Sequence, residues 1–231
     1  FLWIDDVILV IDDVCSHEDG TFSLLFHPDG VSRKNGIDLS VVNQQAAVDI
    51  RPLWPDYLTE SDFEHDFPYN LKLKAHQGPK AKKTDEMETY YSVTYPIKAQ
   101  SVKFITAIIL KDSPTSKNIP QVTRLKGDDL QGVRIAKGDK ITDVYLNTRA
   151  DGHIMHRNSC TNVNGWDTDA YLLAFSYKKG TDPAVSKNIL EWFIGYGSYV
   201  RNAHESIFDS YTKKYKVIRL SLIHISEPTR P

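Results

Sequence analysis

The sequence predicts an all-β fold, an antiparallel β-sandwich of two packed sheets. Three features of the chain predict it. The apolar runs are short, rich in Val, Ile, Phe and Tyr, and bounded by turn residues, so they read as strands rather than helices. Tyr69–His76 alternates, with Tyr69, Leu71, Leu73 and Ala75 on one face and Asn70, Lys72, Lys74 and His76 on the other, the period of a half-buried strand. Glycines at positions 127, 132, 138 and 152 punctuate the second half at close intervals, as turns between short antiparallel strands require.

Taken in order, Val7–His27 is the stretch on which the chain hangs. Two apolar runs, Val7–Ile11 and Phe22–Phe26, flank a polar connector, Asp12–Thr21. They predict two buried strands and a loop. The second run delivers His27 to Pro28-Asp29-Gly30, a strong turn signal. A histidine at a strand end is a usable acid, base or metal ligand near neutral pH. The plainer alternative is a hydrogen-bonded imidazole at a sheet rim.

Leu39–Val42 and Ala46–Ile50 predict a hairpin around Asn43-Gln44-Gln45. Arg51-Pro52-Leu53-Trp54-Pro55 should break its second strand, because proline removes a ladder donor. Asp56–Tyr69 has no clear period and reads as an irregular connection. Gly78–Glu86 reads as a lysine-rich turn, Thr89–Tyr95 as a strand, and Val102–Leu110 as a central strand covered on both faces. Lys111–Pro120 is a loop. Short strands follow at Gln121–Lys126, Gly132–Ile135 and Lys140–Asn147, then a hairpin turn at Ala150-Asp151-Gly152-His153. Trp166–Tyr177 runs from a polar turn into a strand at Ala170–Tyr177. Pro183–Phe193 is a short helix or another strand, Gly195–Tyr199 a loop, and Val200–Tyr211 closes the sandwich.

With 231 residues the chain can bury a sizeable core. Nothing in its pattern demands two domains. A net charge of −2 without a basic stripe argues against nucleic acid as a partner, and no apolar run approaches a membrane span. Cys15 and Cys160 leave pairing open, and with no CxxC or Cys/His cluster a structural zinc finger is excluded. There is no Walker loop and no GxGxxG after a strand, so nucleotide binding has no support. Leu220–Pro231, LSLIHISEPTRP, resembles the translation of a transposase-type sequencing adapter. Residues 220–231 are therefore expected to be a non-native tail, and residues 1–219 a β-sandwich domain truncated at both ends. The other reading of this end is an ordinary strand, Val217–Ile225.

The order DVILVIDDV, polar loop, TFSLLFHPDG, VVNQQAAVDIRPLWP resembles the C-terminal β-sandwich of heparinase II/III-like polysaccharide lyases. VKFITAIIL, ITDVYLNTRADG and GWDTDAYLLAFSY continue the pattern, so the resemblance covers most of Phe1–Tyr215. It implies a helical toroid ahead of this domain, a secreted or periplasmic bacterial setting, and an acidic, uronate-containing polysaccharide of glycosaminoglycan or alginate type as substrate. The implied reaction is β-elimination, with this domain as one wall of the cleft and inactive on its own. The alternative is a non-catalytic carbohydrate-binding or structural β-sandwich module.

The resemblance also implies a divalent metal, zinc or calcium. Carried over residue by residue, His27 matches the first ligand and His76 a third. Asn43 stands where an Asp is expected, and a neutral amide is a poorer zinc ligand than a carboxylate. Leu25 occupies the position of a catalytic histidine in some members, and no catalytic residue is assigned here. Tyr57 and Tyr69 are the candidates for a substrate-facing tyrosine. Weaker candidates come from the residues alone. Asp12/Asp13 and Glu18/Asp19 are paired carboxylates or solvated loop ends. His153 and His156 flank the Ile154-Met155 pair in a hairpin, where they point to opposite faces. Trp54, Trp166, Tyr171 and Trp192 are a sugar-stacking platform or core packing.

Overall fold

The structure is a computed structural model that describes residues 1–35, 38–44, 46–55, 73–80, 83–127, 129–150 and 160–210. The fold is all-β, with every ladder antiparallel. Among the described residues the one other regular element is a 3-10 turn at Ser186–Asn188. The chain divides into two compact units, Phe1–Ile119 and Pro120–Pro231.

Among the described residues the first unit is one sheet of seven strands: β1 (Leu2–Ile4), β2 (Val7–Phe26), β3 (Val31–Asn35), β4 (Asp38–Asn43), β5 (Ala46–Trp54), β6 (Leu73–Lys80) and β7 (Lys83–Lys111). Its order is β1-β2-β7-β5-β4-β3, with β6 also on β7. Here the structure departs from the expected boundaries. The polar connector at Asp12–Thr21 is not a free loop. Pairing runs from Val7↔Ile109 to Cys15↔Ser101, shifts register, and resumes at Gly20↔Ala99 and Phe22↔Tyr95. The residues between are absorbed as bulges, which bend and twist a strand without ending it. Likewise Thr89–Tyr95 and Val102–Leu110 belong to one strand. The lysine-rich turn is narrower than expected, since β6 and β7 stay paired out to Lys80↔Lys83. Pro52 does not end β5, which continues to Trp54 through a register shift opposite Thr106.

Side chains from several of its strands build this unit's core. Leu39 and Val41 of β4 pack with Leu73 of β6, Tyr91 and Val93 of β7, and Phe26 of β2. The Ser32 and Tyr91 hydroxyls hydrogen-bond at 2.9 Å across the same gap. The predicted turn after His27 is present. Gly30 sits at φ +151°, and a Cβ there would fall 2.5 Å from the Val42 carbonyl oxygen, so only glycine fits. The β4–β5 hairpin is also as expected, closed by Asn43↔Ala46.

The second unit is a sandwich of two sheets. The larger contains β8 (Gln121–Gly127), β9 (Leu130–Lys137), β10 (Lys140–Asn147), β13 (Leu172–Lys178) and β14 (Ile189–Gly195), in the order β14-β13-β10-β9-β8. The smaller contains β11 (Thr161–Val163), β12 (Trp166–Thr168), β15 (Tyr199–Arg201) and β16 (Ser206–Asp209), in the order β11-β12-β15-β16. Leu173, Phe175 and Tyr177 from the first sheet meet Val163, Trp166, Val200 and Ile207 from the second in one apolar core. Trp166 is fully buried and its indole N–H donates to the Pro183 carbonyl at 2.8 Å. Burying a large apolar side chain such as Phe175 contributes about 1.5–3 kcal/mol.

Candidate functional site

On the far halves of β2 and β7, and on β6, alternate residues face the unit core and the solvent. Phe26, Tyr91, Val93 and Leu73 point inward. Leu25, His27, Tyr90, Ser92, Lys74 and His76 therefore share the outer face. Register aligns them in rows: His76 lies opposite Tyr90, and Leu25 and Lys74 both lie opposite Ser92. His27 follows the Phe26↔Tyr91 pair and so flanks Tyr90 from the other side.

The three rings of that row stack. His27 and Tyr90 have ring centroids 5.1 Å apart with planes 12° from parallel, and His76 and Tyr90 4.9 Å apart at 15°. The stack is pinned by polar contacts at its edges. His27 Nδ1 lies 3.3 Å from Glu88 Oε1, and His76 Nε2 lies 2.8 Å from Ser92 Oγ. Gly78 sits opposite Glu88 on β6, where an added Cβ would come 3.1 Å from the Tyr90 ring. The missing side chain leaves the phenol its place. Among the described residues the Tyr90 hydroxyl has no hydrogen-bond partner, while its ring lies stacked between two imidazoles on the outer face.

The structure thus brings His27 and His76 to one row but does not converge them on a metal. Zinc needs each ligating nitrogen about 2.0–2.1 Å from the ion, and the Tyr90 ring fills the space between the two imidazoles. Asn43 is engaged elsewhere: its amide donates to the Asp29 carbonyl at 3.1 Å. Among the described residues no group of three or more His, Cys, Asp or Glu side chains is placed to hold a metal. The three expected ligands do not fit the ion.

The remaining candidates separate. Tyr57, Tyr69, His153, His156 and residues 220–231 lie outside the described residues. Asp12 and Asp13 are consecutive strand residues that point to opposite faces, and Asp13 pairs with Lys103. Glu18 and Asp19 are exposed within the bulged segment. Trp54 and Trp166 are buried and offer no face to a sugar. Trp192 packs on Phe208, and Tyr171 meets Tyr196 edge-on. Cys15 and Cys160 are both free thiols and exposed.

A second polar cluster, which the sequence did not single out, lies inside the second unit. Asp143 on β10 is fully buried opposite Arg134 on β9. The guanidinium grips it in a fork, Nε to Oδ1 at 2.7 Å and Nη2 to Oδ2 at 2.8 Å. The Tyr177 hydroxyl donates to Oδ2 at 2.8 Å, Asn164 Nδ2 at 3.3 Å and the Tyr145 hydroxyl at 3.4 Å. Burial, then the hydrogen bond to Asp143, pushes the Tyr177 phenol up to about 12. Burial and the same negative charge raise Tyr145 as well. The hydrogen bond to Asp143 holds the Arg134 guanidinium above its ordinary value. Arg134 Nη2 also donates to the Tyr177 hydroxyl at 3.1 Å, so the donors converge on one carboxylate and on each other, and the cluster is a closed structural centre. The sequence signal was a lone acidic residue inside a β-prone strand, ITDVYLN, on the same face as Tyr145.

No protein-family model matches the chain, and no curated protein is significantly similar to it.

Proposed function

We propose that this chain is the β-sheet portion of a polysaccharide lyase that cleaves a uronate-containing polymer by β-elimination, and that its outer His27–Tyr90–His76 face is part of the cleft wall. The row of stacked rings carries this reading. Elimination removes the proton at C5 beside the uronate carboxylate and expels the glycosidic oxygen from C4. It needs a base, a proton donor and a neutraliser of the carboxylate. Tyr90 supplies a proton-transferring hydroxyl with an imidazole on each side. Lys74, two residues from His76 on the same face, supplies positive charge. A helical domain opposite would contribute the rest, and the setting would be secreted or periplasmic.

One feature favours a second reading, a non-catalytic carbohydrate-binding or structural module. His27 and His76 each already spend a nitrogen on a neighbour, so the row also works as a brace. The deciding experiment starts from the DNA around this segment, both the codons for Leu220–Pro231 and the region before Phe1. The lyase reading expects a helical domain upstream. It also expects the joined protein to release unsaturated uronate ends from alginate or a glycosaminoglycan, with kcat lowered about 100-fold in Y90F. A native start just before Phe1, together with saturable polymer binding by the chain alone, would leave the binding module in its place.

A further inference from the structure

We infer that Tyr90 excludes a divalent metal from this face, and that the aromatic row does mechanically what an ion would otherwise do. Placement and not catalysis produces this exclusion, which holds whether or not the chain belongs to a lyase.

His27, one residue past the end of β2, and His76 on β6 lie on either side of β7. Neighbouring strands lie about 4.8 Å apart, so imidazoles leaning in from β2 and β6 could meet above a small residue on β7. Glu88, 3.3 Å from His27 Nδ1, would stand ready as a carboxylate ligand. As they stand these three groups are not placed to hold a metal together; only without the Tyr90 ring could the two histidines and the carboxylate close on one ion. The residue at the midpoint is Tyr90, and its ring lies nearly parallel to both imidazoles. Gly78 gives that ring room. Glu88 and Ser92 hold the imidazoles against it by their edges. The sequence thus fills the ion's position with a phenol and ties the would-be ligands to other partners.

Zinc chloride and calcium chloride titrated separately into the whole chelator-treated chain, followed by calorimetry, test this. The expected result is that the wild type shows no one-to-one site that depends on both His27 and His76. Y90A, with the ring removed, should bind zinc at least tenfold more tightly than wild type, and H27Q or H76Q added to Y90A should each abolish the gain. A wild type that binds one zinc per chain, with affinity falling tenfold or more in both H27Q and H76Q, would overturn the inference. So would a folded Y90A with no gain in zinc affinity. If Y90A does not fold, the wild-type titration with H27Q and H76Q decides alone.

Discussion

The two units handle polar side chains in opposite ways. In the second, Asp143 is sealed inside the sandwich and five donor contacts from Arg134, Tyr177, Asn164 and Tyr145 converge on it. In the first, His27, Tyr90 and His76 lie on the outside of the sheet, joined by ring stacking, with the central hydroxyl left over. Inside a protein an unpaired charge is costly, so a buried carboxylate must be fully partnered and has nothing left to offer a ligand. At the surface water covers the shortfall, and a reactive group can be kept in reserve. Buried polarity here specifies structure, and exposed polarity is where chemistry has room.

The largest expected effect tests the sealed side. R134A leaves Asp143 buried without its counter-charge, and urea unfolding followed by tryptophan fluorescence should show a loss of about 3–5 kcal/mol. A loss near zero would mean water reaches the carboxylate, and the contrast between the units would collapse. Next, Y177F deletes one hydroxyl that donates to a charged acceptor, and should cost about 1.5–3 kcal/mol in the same assay.

Alkaline titration sharpens the contrast further. A tyrosine in the unfolded chain loses its proton near pH 10, whereas Tyr177 in the fold holds its own to about 12. Between those values the unfolded state binds fewer protons than the native state, so stability must fall as pH rises. The contribution is complete below pH 10 and gone once pH passes about 12. Denaturation midpoints measured across that window should drop, and Y177F should flatten the drop.

On the open side the effects are smaller. H27A and H76A each remove one stacked ring pair from a solvated face, and should cost about 0.5–1.5 kcal/mol. G78A presses a methyl group toward the Tyr90 ring, and should reduce stability by under about 1 kcal/mol, read as a slight fall in Tm. If these surface changes matched R134A in size, the ring row would have to be reclassified as core.

Much of this fold was legible in the chain. Val102–Leu110 was legible as strand, the inner part of the longer β7, and Phe104–Ala107 within it are buried in succession, because a mostly apolar run needs cover on alternate faces. The hairpin at Asn43-Gln44-Gln45 and the Gly30 turn followed from local backbone preferences. What escaped was continuity. Asp12–Thr21 looks like a loop because its residues are polar, but a strand's extent is set by its partner, and β7 runs past the whole stretch. The candidate site was half legible. His27 and His76 stood out as histidines at the end of one strand and on the polar face of another. The ring that separates them comes from a third strand, and the rows that bring the three together depend on register between distant segments. Asp143 escaped for the same reason: its meaning lies in Arg134, Tyr177 and Asn164, each from a different turn or strand.

The long β2–β7 ladder has a consequence for how the chain is made. Val7 is hydrogen-bonded beside Ile109, and Phe26 beside Tyr91. A ribosome releases β2 early, yet its partner is complete only once Lys111 has emerged. For that interval VILVI is paired only along the short β1 and its β7 edge stays open, and contacts this distant in sequence are slow to close even when both ends are free. Exposed strands of this kind are where nascent chains aggregate. Asp12 and Asp13 directly after it, with Glu18 and Asp19 further on, keep the sticky stretch from running on during the wait, and the residues between Cys15 and Gly20 become a bulge when the wait ends.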